Sequence, residues 1–150
     1  MNEFIQNKKD YHPEMHSAEH ILNQTMVRMF NRGRSISQHI EKKKSKCDYN
    51  FDRYLTSEEI AEIEKRVNDV IAMDMKVTEE FVTRDEASKL VNISKLPEDS
   101  GDNVRIIRIG DYDACPCSGL HVNSTKEIGT FKIYSVDYNE PILRVRFKLL

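Results

Sequence analysis

The sequence has no tryptophan and only three cysteines among 150 residues. An odd and small number of cysteines does not make a disulfide framework. Residues 1–10 are too polar to contain the apolar core of a signal peptide. No apolar run approaches the ~18 residues that a membrane-spanning helix needs. We therefore expect a cytoplasmic protein with free thiols and no membrane partner.

The sequence also lacks an excess of charge of one sign. The sequence contains 23 basic and 25 acidic residues, which gives a formal net charge of −2. A global basic field for nucleic acid is thereby excluded, and any contact with RNA must come from a local patch. Because there is no internal repeat, low-complexity stretch or linker, we expect one domain covering residues 1–150.

The hydrophobic pattern predicts an α+β domain, a largely antiparallel sheet with packed helices. One helix is expected from Pro13 to about Phe30, since proline suits a first helical turn. Two capping-box patterns, beginning at Thr56 and Thr83, predict a second helix and a short third one. Strands are expected over residues 35–40, 47–51, 76–82, 104–109, 130–136 and 143–149, with a basic loop at 41–46.

Two pairs of metal-binding side chains stand out by their spacing. His16 and His20 are four residues apart, as are Cys117 and His121. On a helix, two residues at that spacing share one face. One such pair arises often by chance, but two in a small domain supply three imidazoles and a thiolate, which suit tetrahedral Zn²⁺. The loop sequence around Cys117 is expected to fold the second pair inward.

Two alternatives to this ligand set stay open at the level of sequence. Cys115 is a competing thiolate, although Pro116 makes a Cys-x-Cys chelate stiff. His16-x-x-Glu19-His20 also fits the H-x-x-E-H pattern of a zinc peptidase, in which Glu19 would be the general base. That interpretation needs a further carboxylate ligand and leaves Cys117 unexplained.

Two polar stretches are candidates for substrate contacts. The basic run is either a solvated hairpin tip or a loop that contacts phosphates without reading sequence; its members are Lys42, Lys43, Lys44 and Lys46. The predicted strand at 35–40 is either an ordinary alternating strand or, if it flanks the metal, one wall of a polar pocket. The candidates there are Ser35, Ser37 and Gln38.

The sequence resembles the editing domain of alanyl-tRNA synthetase and the free-standing AlaX-type trans-editing proteins, to which the threonyl-tRNA synthetase editing domain is related. The resemblance rests on residues 16–22, on residues 117–122, and on residues 125–133, which follow the family's Thr-Gly-Glu-Ile-Gly segment. Many family members have Gly-Gly-Thr where this chain has residues 118–120, and glycine where it has Lys126.

The resemblance implies an editing-domain fold and a zinc-dependent hydrolase that deacylates mischarged tRNA in trans. Ser- or Gly-tRNA(Ala) is the implied substrate, held by its acceptor end. By the same resemblance, zinc is bound by His16, His20, Cys117 and His121, and Ser35 and Ser37 line the amino-acid pocket with Gln38 beside them. No catalytic base is identified. The alternatives are an inactive zinc-containing tRNA-binding module and the small zinc peptidase.

Overall fold

A computed structural model describes residues 12–90 and 103–150 of the chain, which form helices and strands in mixed order. The helices are α1 (Pro13–Phe30), α2 (Ser57–Ala72), α3 (Arg84–Leu90) and a 3-10 helix (Thr125–Ile128). The strands are β1 (Ser37–His39), β2 (Lys44–Asn50), β3 (Val77–Thr83), β4 (Asn103–Ile109), β5 (Asp113–Pro116), β6 (Phe131–Asn139) and β7 (Ile142–Leu149). The predicted α+β class is confirmed.

The strands form two open antiparallel sheets. One has the order β1-β2-β7-β6 and the other β3-β4-β5. The larger sheet ends at β6 because α2 covers that edge. Asn68 of α2 accepts a hydrogen bond from the Phe131 N–H at 2.8 Å and donates one to the Phe131 carbonyl at 2.9 Å. These bonds satisfy backbone N–H and C=O groups of the edge strand β6, which would otherwise be free to pair with another strand.

Helix α1 has the boundaries that the sequence predicts. Pro13 occupies its first turn, and Asn31 ends it in the left-handed conformation at φ 55°. The helix is buried around most of its circumference, including its polar residues. Buried polar groups must find partners inside the protein. The polar residues of α1 that are buried are His16, Ser17, Glu19, His20, Asn23 and Thr25.

The predicted capping box of α2 is present. The Thr56 hydroxyl accepts from the Glu59 N–H at 3.1 Å, and the Thr56 N–H donates to the Glu59 carboxylate at 2.9 Å. At the other end of α2, the Thr125 hydroxyl lies 3.0 Å from the Val70 carbonyl. The 3-10 helix is therefore tied to α2, which holds the chain between the two sheets.

Three local predictions differ from the structure. The strand expected over residues 35–40 is shorter, since β1 is Ser37–His39 and Ser35 lies before it. The predicted loop at 41–46 is shorter, because Lys44 and Lys46 belong to β2. Strand β2 pairs along its whole length with β7, and Ser45 between the two lysines is buried. Strand β5, which the sequence did not predict, pairs with β4 just before the Cys117 loop. None of the helices in the described ranges is long and apolar enough to cross a membrane.

Candidate metal centre

The two metal-binding pairs come together although about 100 residues separate them. His16 and His20 lie on α1, while Cys117 and His121 lie in the loop after β5. One ligand atom from each of the four residues lies within 4.8 Å of all the others. Ligands of one tetrahedral zinc ion are about 3.4–3.6 Å apart. A small contraction of side chains would thus allow all four to bind one ion.

The Cys117 loop is held by a single arginine of β4. Arg105 Nη1 donates to the carbonyls of Cys117 and Gly119, at 2.9 Å each. The Cys117 N–H donates back to the Arg105 carbonyl at 3.2 Å, which continues the β4–β5 pairing by one residue. The second pair therefore converges through a clamped loop and not through a helical face.

His16 is oriented by the same loop. Its Nδ1 donates to the Leu120 carbonyl at 3.0 Å, which directs the other ring nitrogen, Nε2, toward the group. Nε2 lies 3.2 Å from Cys117 Sγ, inside the group. A backbone carbonyl that fixes the ring in this way is a common partner of metal-binding histidines.

His121 is oriented by Ser17, which lies next to His16 on α1. Ser17 Oγ is 2.9 Å from His121 Nδ1 and also accepts from the Val122 N–H at 3.2 Å. The other ring nitrogen, His121 Nε2, is buried without a hydrogen-bond partner. Burial lowers the pKa of His121 to about 4, so the ring is neutral at pH 7. A buried ring nitrogen that has no hydrogen-bond partner and lies beside three other ligands fits a metal site.

His20 is backed by a buried carboxylate. Its Nδ1 lies 3.5 Å from Asp113 Oδ2, and Asp113 is only 4% exposed. Arg34 Nη1 and Gln24 Nε2 both donate to Asp113 Oδ1, at 2.7 and 2.8 Å. Burial opposes the charged imidazolium, but the interactions with Asp113 and Cys117 outweigh it and raise the pKa of His20 to about 9.

The two cysteines of the loop differ in their ionisation. Burial opposes the Cys117 thiolate, but the neighbouring imidazoles of His121, His16 and His20 outweigh it and lower its pKa to about 2. Burial raises the pKa of Cys115 to about 12, so Cys115 stays a thiol at neutral pH. A thiolate is the form that binds metal. The group contains Cys117 and not Cys115.

The donor set fits zinc and disfavours the peptidase interpretation. Three imidazoles and one thiolate are ligands that Zn²⁺ prefers, and no carboxylate belongs to the group that the described residues form. Glu19 Oε1 lies 3.8 Å from His16 Nε2, beside the group. Four protein ligands saturate a tetrahedral ion, so the set suits a structural ion as well as a catalytic one.

The predicted pocket residues have different partners. Ser35 is buried, and its N–H donates to Asn23 Oδ1 at 3.0 Å. Asn23 Nδ2 reaches Glu19 at 3.4 Å, so Ser35 is linked to the ligand group by two side chains. The Ser35 hydroxyl donates to Gln38 at 3.0 Å. The Ser37 hydroxyl instead donates to Asp48 of β2 at 3.2 Å, and the structure does not bring it to the ligand group.

The predicted basic residues are separated by the start of β2. Lys42 and Lys43 are exposed in the β1–β2 connection. Lys44 and Lys46 lie on β2, and they point to the same face because alternate residues of a strand share a face.

A surface depression of about 670 Å³ lies away from the ligand group. Phe30, Phe51 and Pro141 are among the residues that line it. Phe30 is ten residues after His20, which is about 15 Å along α1. Arg32 and Asp52, also in its lining, pair with each other at 2.9 Å. The depression is therefore separate from the metal-binding chemistry.

Sequence reasoning did not identify four residues that orient the ligands or the pocket, namely Ser17, Asn23, Arg105 and Asp113. The only local signal was the position of Ser17 inside the histidine pair. Asp113 and Arg105 act through contacts with residues 12 to 93 positions away in the chain. Spacing within one segment cannot show such contacts.

Replacing Asp113 with asparagine should weaken both zinc binding and the fold. The change keeps the shape of the side chain but leaves the Arg34 guanidinium without its buried anion, which costs about 2–4 kcal/mol in the free energy of unfolding. Loss of the carboxylate behind His20 should reduce zinc affinity by about 10–100-fold. Chemical unfolding and a chelator competition would measure the two effects.

The pH dependence gives a control for the Asp113 variant. His20 and Arg34 hold the pKa of Asp113 well below its usual range. A depressed pKa contributes stability above pH ~4, and that contribution is lost as the pH falls further. The wild type should therefore lose stability between pH 4 and 2 more steeply than Asp113→Asn. Parallel acid-unfolding curves would contradict this role.

Comparison with known proteins relates the chain to aminoacyl-tRNA synthetases. Residues 104–144 match the family described as the threonyl and alanyl tRNA synthetase second additional domain. The match begins in β4 and includes the Arg105 clamp, Cys117 and His121.

Longer alignments match the chain to alanine–tRNA ligases of several bacteria. It is 35% identical over 121 residues to that of Fervidobacterium nodosum and 32% identical over 123 residues to that of Methylococcus capsulatus. It is 35% identical over 127 residues to that of a Thermoanaerobacter species. Each alignment covers 80% of this chain and 14% of the relative, so the chain matches about a seventh of each ligase. The chain is therefore an editing-type domain related to alanyl-tRNA synthetase.

Proposed function

We propose that the protein is a zinc-dependent hydrolase that acts in trans to remove a wrong amino acid from tRNA, with Ser- or Gly-tRNA(Ala) as substrate. In this proposal the 150 residues act as one editing domain in the cytoplasm. The observation that carries the proposal is the convergence of His16, His20, Cys117 and His121 in a domain related to alanyl-tRNA synthetase. Zinc bound there would supply positive charge that polarises or orients the ester of the substrate.

Neighbouring groups orient the proposed ligands before an ion binds. The loop carbonyl of Leu120 and the hydroxyl of Ser17 hold the rings of His16 and His121, so that one nitrogen of each faces the group. The depressed pKa of Cys117 keeps a thiolate available. Groups oriented before the ion arrives lose less freedom on binding it, which supports a resident ion.

Physical limits on selection explain why such a hydrolase is needed. A hydrophobic pocket rejects a substrate with one methylene more or less by only ~1–3 kcal/mol, and it cannot strongly reject one that adds a hydroxyl. A site for alanine therefore admits serine and glycine. A second site that recognises the hydroxyl of serine with buried polar groups can correct the error, because an unpaired polar group there costs more.

The polar groups nearest to the ligands are candidates for that recognition. Ser35, with Gln38 beside it, is linked through Asn23 to Glu19 and so to the ligand group. We propose that Ser35 and Gln38 form part of the amino-acid pocket. The sequence-based proposal also includes Ser37, whose hydroxyl is bonded to Asp48, and the two serines can be tested separately.

The proposed contacts with the tRNA backbone use the lysines at the start of β2. Lys42, Lys43, Lys44 and Lys46 are at or near the end of the β1–β2 hairpin. Lysine side chains bind phosphates as point charges and do not read sequence. Such contacts would position the tRNA, while the amino-acid pocket would select the ester.

A panel of mischarged tRNAs tests the proposal. The 150-residue protein loaded with zinc should release serine from seryl-tRNA(Ala), and it should release alanine from alanyl-tRNA(Ala) at least about 100-fold more slowly. Seryl-tRNA(Thr) and glycyl-tRNA(Ala) complete the panel, and amino acid released is measured against spontaneous hydrolysis. Inertness toward every mischarged tRNA, with zinc fully bound, would contradict the enzyme.

A module that binds tRNA without hydrolysing it is the second candidate. The observation in its favour is that the four side chains would saturate a tetrahedral ion and leave no open position for substrate. In the same panel this candidate predicts tRNA binding without release of any amino acid.

A further inference from the structure

The outer face of the larger sheet carries a concentration of positive charge in a chain whose net charge is −2. Lys148 of β7 is directly opposite Lys44 of β2 on one side and Lys132 of β6 on the other. Two residues further along β2, Lys46 is opposite Arg146 of β7. We call this surface the basic face, and it consists of Lys44, Lys46, Lys132, Arg146 and Lys148.

This arrangement costs the fold free energy. Like charges directly opposite each other on neighbouring strands are destabilising. Arg146 contacts Asp137, and Lys132 Nζ is 3.9 Å from Glu64. Within the two described ranges, no acidic side chain forms an ion pair with Lys44, Lys46 or Lys148. Lys44 and Lys148 thus remain available to an anion from outside, while Lys46 also interacts with the Asp48 carboxylate on the same strand.

An exposed aromatic ring lies among these cations. The register between β6 and β7 shifts between Ile133 and Ser135, and Tyr134 lies at that irregularity. Tyr134 is 39% exposed, and Lys44 Nζ lies 5.3 Å from the centre of its ring. Lysines around an accessible aromatic side chain are typical of surfaces that bind nucleic acid.

The basic face lies toward the same end of the molecule as the metal centre. Two contacts set the direction of α1 along β2: the Phe30 and Phe51 rings are 5.2 Å apart, and Tyr49 donates to Asn23 at 2.8 Å. Residue numbers therefore rise in the same direction along both elements, and helix α1 runs roughly parallel to β2. Its amino-terminal half, with His16, is directed toward the end of β2 that begins at Lys44.

We propose that the basic face binds the phosphate backbone of the duplex acceptor stem of the tRNA whose 3′ end reaches the metal centre. This inference rests on the proposed function for the identity of the RNA. A duplex backbone is a regular array of negative charges, and the basic face offers several cations on one face of a sheet. The helix α1 side of the sheet holds the 3′ end, and the outer face at the same end holds the stem.

The test removes two central charges and compares them with two charges elsewhere. The double variant Lys44→Gln/Lys148→Gln neutralises opposite residues of the basic face. The control Lys65→Gln/Lys89→Gln makes the same change of net charge on α2 and α3, where both lysines are exposed. The basic-face variant should bind tRNA about tenfold more weakly and reduce the slope of log affinity against log salt by about 1–2. The control pair should change neither quantity.

Two readouts separate this inference from loss of folding and from failure of the proposed function. The basic-face variant should unfold at the same temperature as the wild type or higher, because it removes repulsion. A short mischarged single strand ending in the tRNA 3′ sequence lacks the duplex stem, so both proteins should hydrolyse it equally. If neither protein hydrolyses this strand, the proposed function fails. The measured tRNA affinities of the two proteins then still test whether the basic face binds tRNA.

Three results would overturn the inference. They are unchanged tRNA affinity and salt slope in Lys44→Gln/Lys148→Gln, equal weakening by the control pair, or weaker hydrolysis of the short single strand alone. The first would leave an acidic protein as the partner of this face. The second would assign the effect to net charge, and the third would assign the lysines to the 3′ end.

Discussion

Replacing Cys117 with serine should lower the zinc affinity of the protein by at least about 100-fold. The Cys117 sulfur lies 3.2 Å from His16 Nε2, and the surrounding histidines favour its thiolate form. Serine has nearly the same shape, but its hydroxyl does not ionise at neutral pH and is a poor ligand for zinc. A chelator competition on purified protein measures the affinity without any tRNA.

The neighbouring cysteine provides a matched control for this prediction. Cys115 is two residues away and outside the ligand group, and burial keeps it a thiol. Cys115→Ser should therefore bind zinc as the wild type does. His20→Ala should weaken binding like Cys117→Ser, because it removes a ligand from α1. If Cys117→Ser and His20→Ala both keep wild-type stoichiometry and affinity, the ligand set is wrong.

The three α-helices were predictable because their signals are local. Pro13 at the start of α1 and the capping box of Thr56 and Glu59 act within one turn of the chain. Strand β5 has no such signal, since it is four residues long and contains Asp113 and Pro116. Its pairing with β4 defines it, and that pairing depends on the rest of the fold.

The start of β2 shows the same limit. A run of lysines resembles a loop when it is considered alone, yet Lys44 and Lys46 pair with Lys148 and Arg146. In the structure, Ser45 between them is buried, because alternate residues of β2 face inward. Tertiary pairing with β7 overrides the low strand propensity of lysine.

For the candidate site, spacing predicted which side chains could act together but not what holds them. The two pairs were visible because each is local. Asp113 behind His20 and Arg105 behind Cys117 come from other elements, and no spacing rule connects them to the ligands. Partners of this kind set the tautomers and charges on which metal binding depends.

The two serines near β1 show why a pocket is harder to predict than a ligand set. Residues two apart on a strand share a face, so Ser35 and Ser37 were expected to line one pocket. Strand β1 begins only at Ser37, and Ser35 lies before it. The alternation rule therefore does not apply between them, and their hydroxyls have different partners, Gln38 and Asp48.

This difference leads to the last expected result, a loss of amino-acid selectivity in Ser35→Ala but not in Ser37→Ala. The buried Ser35 hydroxyl is proposed to help recognise the serine of the substrate, and its removal leaves the hydroxyl of the substrate without that partner. An unpaired buried polar group costs about 1–3 kcal/mol, which corresponds to roughly 5–150-fold in kcat/KM for seryl-tRNA(Ala). Hydrolysis of glycyl-tRNA(Ala), which has no hydroxyl to recognise, should change much less.

Comparing the two substrates separates recognition from structural damage. A general defect in Ser35→Ala would slow both substrates alike and lower zinc content, whereas lost recognition changes only their ratio. Ser37→Ala breaks the bond to Asp48, but Asp48 keeps its paired bonds to Arg144 at 2.8 and 2.9 Å, so the fold should tolerate the change. The opposite result would be a ratio of kcat/KM for the seryl substrate to that for the glycyl substrate that falls further in Ser37→Ala than in Ser35→Ala. That result would place the amino-acid pocket beside Ser37 and Asp48, away from Asn23 and the metal centre.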